Sequence, residues 1–260
     1  MSPPRVALVC AASRGLGRAA ARALAADGLR VAICARRRET VERAAADLAQ
    51  ETGAEVAGFA ADLTRADDPA RVVQQTVERF GALDVLVTNI AGPRSAPFEA
   101  LTDADWRDAV DALLMSVVRL CRAAVPQMRA RGGGRIIHIT SVATRQPVDG
   151  LILSNAVRMA VVGLAKSLAT ELARDRILVN CVAPGFTRTE RVTEITAAAA
   201  AREGLTPAAI EERFVSQIPM KRLGEPRELA AVVAFLASRG GDYVTGTTIP
   251  VDGGFLRSVL

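Results

Sequence analysis

Cys10-Ala11-Ala12-Ser13-Arg14-Gly15-Leu16-Gly17 stands between an apolar run at residues 5–11 and an Ala-rich run at 15–27 with helical spacing of its apolar residues. The first run reads as a strand and the second as a helix, so both glycines fall where a strand hands over to a helix. Gly15 and Gly17 carry no side chain to keep a ligand from the backbone, and the first N–H groups of a helix have no partner inside it. With the helix dipole they favour an anion at close range. The stretch predicts a phosphate-binding turn opening a strand–helix unit, with Ser13 hydrogen-bonding within the loop.

The same alternation continues. Short β-rich runs at residues 30–35, 55–60, 84–89, 135–140, 177–183 and 247–251 alternate with helical runs at 39–51, 69–80, 103–131, 154–174 and 225–238. Several strand runs are almost wholly apolar, as strands covered on both faces are. Gly28, Gly53, Gly81 and Gly132 follow helical runs, Thr102 and Asp103 open the fourth helix, and Pro226 lies in the first turn of the last. The pattern predicts an α/β fold: a doubly wound, seven-stranded parallel sheet of the Rossmann type, in a single domain over residues 1–260. Residues 186–224 break the rhythm. They are too long for a plain connection and carry helical patterns at 192–202 and 207–217. They follow a strand's C-terminal end, where open α/β sheets bind ligands, so they read as a lid over a small-molecule substrate, with a packing insert as the alternative.

Composition narrows the classes. Half of the 260 residues are apolar, enough for a large core. The formal net charge is +5, but the basic residues are spread along the chain and only 3% of residues are aromatic. A nucleic-acid footprint clusters on one face, so no nucleic-acid partner is expected. Apolar runs such as 229–237 fall short of the ~20 residues of a membrane helix, so no membrane span is expected. Cys10, Cys34, Cys121 and Cys181 lie in apolar runs without metal or pairing spacing. They read as buried free thiols of a cytoplasmic protein, and no metal site is expected.

Further motifs recur at a distance. Asp62 follows the third strand, and Thr88-Asn89-Ile90-Ala91-Gly92 follows the fourth. Asn180 and Pro184-Gly185 mark the sixth strand and its turn, and Pro219-Met220-Lys221-Arg222-Leu223-Gly224-Glu225-Pro226 and Val251-Asp252-Gly253-Gly254 lie near the C-terminus. With the glycine turn, they resemble the short-chain dehydrogenase/reductase family, in particular its beta-ketoacyl carrier-protein reductase-like branch, over essentially the whole chain. The resemblance implies a nicotinamide dinucleotide on Ser13, Arg14, Gly15, Leu16 and Gly17, on Asp62 and Leu63 at the adenine, on Asn89 and Ala91, on Arg158, and on Pro184, Gly185 and Thr187. It also implies a homotetramer built on the helices at 103–131 and 154–174 and the C-terminal tail. Ala11 departs from the family's glycine, and a turn with positive φ there would be strained. The second strand ends Cys34-Ala35-Arg36-Arg37-Arg38. Ala35 stands where an acid would bind the ribose of NAD, while Arg36, Arg37 and Arg14 suit a 2′-phosphate, so NADP is expected over NAD.

The catalytic positions depart further. The family uses a Ser, a Tyr as proton donor, a Lys that lowers the Tyr pKa, and an Asn that holds a relay water. Ser141 matches the Ser, but Ser154 stands at the Tyr position, Arg158 at the Lys position and Leu113 at the Asn position. An aliphatic hydroxyl is a far weaker acid than a phenol, and a guanidinium does not deprotonate. The expected chemistry is therefore an NADP-dependent oxidoreductase acting on a carbonyl or activated double bond with a changed relay: water positioned by Ser141 and Ser154, with Arg158 as the electrostatic partner. A cofactor-binding protein without hydride transfer, and a non-redox isomerase or lyase, are the alternatives. Arg145 and Asp149 follow Ser141 and are further proton-donor candidates. His138 reads as a packed strand histidine, and Tyr243 as part of a structural motif.

Overall fold

The computed structural model describes residues 4–258. Met1–Pro3, and the last two residues of the C-terminal tail, lie outside the described residues. Among these, seven strands form one parallel sheet in the order β3-β2-β1-β4-β5-β6-β7. The strands are β1 (Val6–Val9), β2 (Arg30–Ala35), β3 (Val56–Ala60), β4 (Val85–Thr88), β5 (Gly134–Ile139), β6 (Ile177–Pro184) and β7 (Thr248–Val251). The chain winds outward from β1 to β3, then returns to place β4 on the other side of β1. That reversal opens a crevice beyond the carboxyl ends of β1 and β4.

Strand side chains alternate between two cores. Val6, Leu8 and Cys10 face one layer, with Val72 and Phe80 of α3 (Asp68–Phe80), Leu120 and Met128 of α5 (Ser116–Ala130), and Val161 and Ala165 of α6 (Ile152–Leu172). Ala7 and Val9 face the other, with Leu24 of α1 (Gly15–Ala26), Leu48 of α2 (Arg38–Thr52) and Val233 of α9 (Pro226–Ala237). Full burial of each large side chain contributes about 1.5–3 kcal/mol, which explains why the strand runs read as continuously apolar.

Two elements differ from expectation. The helix predicted over residues 103–131 is α4 (Asp103–Val110), a π-turn at Asp111–Met115, and α5. Thr102 starts α4 with a full capping box closed by Asp105. Secondly, the continuous helix at Ile152–Asp175 is long and apolar enough to cross a membrane by length and composition. It buries Leu153, Val157, Val161, Ala165, Ala169 and Leu172 in the fold, and its opposite face, with Ala156, Met159, Ala160 and Gly163, is exposed. The insert carries α7 (Glu190–Glu203) and α8 (Pro207–Gln217), joined through Ala199, Ala200 and Ile210. Phe186 stacks on Phe214 at 4.4 Å between ring centroids and meets Phe255 edge-on at 5.3 Å.

Candidate active site

The turn between β1 and α1 is held tightly. A Cβ on Gly17 would lie 2.5 Å from the Ala11 carbonyl oxygen and 2.8 Å from Asn89 Nδ2, so only glycine fits. Asn89 Nδ2 donates to that same carbonyl at 3.2 Å, and the Ala12 N–H donates to the Cys34 carbonyl at 3.1 Å. Ser13, expected to bond within the loop, makes no hydrogen bond among the described residues; Asn89 from β4 secures the loop instead. Ala11 has φ +46°, in the region expected to be strained.

This turn fits a dinucleotide phosphate. Arg14 precedes α1 in extended geometry, no side chain caps the helix, and its first turn holds no acid. Its leading N–H groups are therefore available to an anion. The surface opposite is less accommodating. A Cβ on Gly15 would lie 3.8 Å from Thr189 Cγ2 and from Glu190 Oε2, and Glu194 reaches Arg14 at 3.9 Å. The insert's helix α7 thus rests on the turn with two carboxylates.

Arg36 and Arg37 are exposed beyond β2, and neither side chain forms a hydrogen bond or ion pair among the described residues. Asp62 accepts from the N–H and hydroxyl of Thr64 at 3.1 and 2.8 Å; Leu63 beside it is buried, and Ala91 is exposed. Pro184 ends β6, and a Cβ on Gly185 would come within 2.8 Å of Asp252 Cα. Thr187 is 4% exposed, with its hydroxyl on the Gly185 carbonyl at 3.4 Å. Thr189, which the sequence reading passed over, is the threonine that faces Gly15.

The candidate catalytic residues lie on neighbouring elements. Ser141 follows β5, and its Oγ accepts from the Ala143 N–H at 3.1 Å. Ser154, in the first turn of α6, is 6% exposed; its Oγ accepts from Arg158 Nε at 3.1 Å. Arg158 Nη1 donates to the carbonyls of Ile139 and Thr140, each at 3.3 Å, and Nη2 to that of Ile90 at 3.1 Å. Four of its five N–H groups are thus used inside the protein, leaving one for a ribose hydroxyl. Arg158 staples the ends of β4 and β5 together directly before Ser141. Desolvation, with a smaller contribution from the nearby Arg191, lowers its pKa to about 10, and it stays charged at neutral pH.

Other candidates are accounted for structurally. Leu113 sits in the π-turn, 2% exposed, packed with Ala109, Leu153 and Val157. An apolar cluster occupies the place of a relay water. Arg145 donates to the Thr248 carbonyl at 3.2 Å. His138 is fully buried, shares a 2.8 Å hydrogen bond with Thr88, and is pushed by burial to a pKa of about 4. Tyr243 is fully exposed. Asn155, which the sequence reading also missed, pairs both amide atoms with Val148 at 3.3 and 3.0 Å, pinning the loop after Ser141 onto α6. A surface groove of about 1120 Å³ between α1, α7 and α9 touches Gly15 but none of Ser141, Ser154 or Arg158.

The enoyl-(acyl carrier protein) reductase family model matches residues 10–256. Dehydrogenase/reductase SDR family member 4 of Oryctolagus cuniculus is 36% identical over 251 residues, covering 96% of this chain and 93% of the relative. The 3-oxoacyl-[acyl-carrier-protein] reductase FabG of Staphylococcus aureus is 35% identical over 254 residues, covering 98% and 99%. L-Sorbose reductase from Gluconobacter frateurii, solved with NADPH and L-sorbose, superposes with a TM-score of 0.93 at 32% identity, covering 99% of this chain and 98% of that one. The chain belongs to the short-chain dehydrogenase/reductase family. It is an NAD(P)-dependent oxidoreductase. As a short-chain dehydrogenase/reductase it keeps the glycine turn and Ser141, and it carries Ser154, Arg158 and Leu113 in the positions where the family's proton relay was expected.

Proposed function

We propose that the protein is an NADP-dependent reductase of 3-oxoacyl reductase type, acting on a carbonyl or activated double bond through a relay without tyrosine. The observation that carries this reading is the bond from Arg158 Nε to Ser154 Oγ. It leaves the Ser154 hydroxyl proton free to point at a substrate oxygen or a water. NADPH, when bound, supplies the hydride. Ser141 and Ser154 orient the substrate oxygen and a water, and the Arg158 charge stabilises the negative charge that develops there. The proton then comes from water through a hydroxyl. A delocalised oxyanion, as formed when hydride adds to a conjugated double bond, is less basic than a localised alkoxide and needs less acid assistance as it forms. The missing phenol thus favours the double-bond end of the substrate range.

Arg36 and Arg37, free beyond β2, support NADP over NAD. The same reading makes residues 186–224 the substrate lid. We further infer a homotetramer using α4–α5 and α6, with a cytoplasmic location and a small-molecule substrate; neither nucleic acid nor membrane is a partner in this reading.

The test is turnover of a carbonyl and enone panel with 4-deuterated NADPH. Deuterium should appear in product, and the rate should be flat from pH 6 to 9, because neither serine nor arginine titrates there. Ser154→Tyr with Arg158→Lys and Leu113→Asn should raise simple ketone reduction above the wild type and above the variant lacking the Leu113 change. No deuterium transfer to any panel member, with NADPH bound, would refute the reading.

A further inference from the structure

We propose that Arg191, beside the Arg158 charge, selects a substrate that carries a carboxylate next to its reacting carbon. The inference rests on the reductase reading above and names its substrate class.

The segment after β4, from Ile90 to Pro93, is gripped by two guanidinium groups from different elements. Arg158 of α6 donates to the Ile90 carbonyl at 3.1 Å. Arg191, in the first turn of α7, donates to the Pro93 carbonyl at 3.1 Å. Between them lies Gly92, where a Cβ would stand 2.8 Å from both Nε and Nη2 of Arg191. Glycine therefore leaves the room that lets this guanidinium lie along the segment.

The two cations share a single carboxylate. Arg158 forms no ion pair among the described residues. Arg191 has Glu194 at 3.4 Å, one turn along α7, with the two side chains 37% and 53% exposed. The Arg191 charge bears on Arg158, the smaller cause of its lowered pKa after desolvation. Two like charges held on one loop segment and sharing one carboxylate cost free energy that an entering oxyanion offsets. Carbonyl oxygens satisfy hydrogen bonds but carry no counter-charge.

A second source of the same oxyanion chemistry is the cofactor's diphosphate, because α7 also faces Gly15. The experiment separates the two. Protein saturated with NADP⁺ is titrated calorimetrically with a 2-oxo acid, its methyl ester and its amide, and NADPH affinity is measured by fluorescence. The acid should bind roughly 100-fold tighter than the ester, the size expected for a charge-assisted pair. Arg191→Gln should bring that ratio close to 1, Arg191→Lys should keep part of it, and NADPH affinity should hold in both. Arg94→Gln, an exposed arginine of the same loop paired with Asp105, should leave the ratio intact. Equal binding of acid and ester by the wild type overturns the proposal. So does a fall in NADPH affinity in Arg191→Gln with the ratio unchanged, which assigns Arg191 to the diphosphate. Because the readout is equilibrium binding, absent turnover would count against the reductase reading alone.

Discussion

At Ala11 a methyl group sits on a backbone with φ +46°. A non-glycine residue there costs about 1 kcal/mol. Ala11→Gly should stabilise the protein by about that much, raising Tm by about 2 °C in a thermal scan. His138 gives a pH signature. Its folded pKa, about 4, lies below the ordinary imidazole value of 6.5 because it is buried. Between those values the unfolded chain binds a proton that the folded one does not, so stability falls as pH drops from 6.5 towards 4. The span corresponds to about 3 kcal/mol. Denaturant titrations should show that loss in the wild type and a flatter curve in His138→Gln. Much of the site was legible at this scale: the exchanges at 113, 154 and 158 are read directly from residue identity. That Arg158 spends its donors on Ile90, Ile139 and Thr140 was not, because backbone acceptors leave no mark in composition. The carboxylates of Glu190 and Glu194 against the glycine turn were hidden for a related reason: they come from an insert far along the chain.

Between elements, the contact of α7 with the phosphate turn has a measurable consequence. Arg14 and Glu194 are 65% and 53% exposed and 3.9 Å apart, so the pair itself is worth little. Its carboxylate nonetheless opposes an incoming diphosphate. Glu194→Gln should tighten NADPH binding about threefold at low salt, with the gain disappearing near 1 M salt, as read by fluorescence titration. Unchanged affinity at low salt would mean that the Glu194 carboxylate clears the ligand. Element boundaries followed the sequence where punctuation is chemical, at Pro207, Gly53 and the Thr102 capping box. They departed at Asp111–Met115, where a π-turn shifts hydrogen bonds by one residue without altering apolar spacing. Residues 190 and 191 were left outside the predicted helix of the insert, since its apolar spacing begins only at Val192.

Across the whole molecule, strand alternation and the long apolar runs made the parallel sheet readable, and the crevice between β1 and β4 follows from the strand order. One surface is unexplained by a single chain. Gly163 lies mid-helix in α6 with nothing within 4 Å of an added Cβ, although glycine weakens a helix interior by about 0.5–1 kcal/mol. Met159, one turn away, is 49% exposed. Close approach of a second α6 accounts for both. If the protein is the homotetramer proposed above, Gly163→Arg should leave the thermal fold of the monomer intact while light scattering shows a smaller species than the wild type; an unchanged assembly would place the interface elsewhere. Every role assigned to the site depends on a dinucleotide settling on the open end of α1 with its extra phosphate on Arg36 and Arg37. Calorimetric titration of the folded protein with NADPH and NADH tests this most directly: heat with NADPH at an affinity at least tenfold above NADH is the predicted result, and no heat with either nucleotide would contradict it.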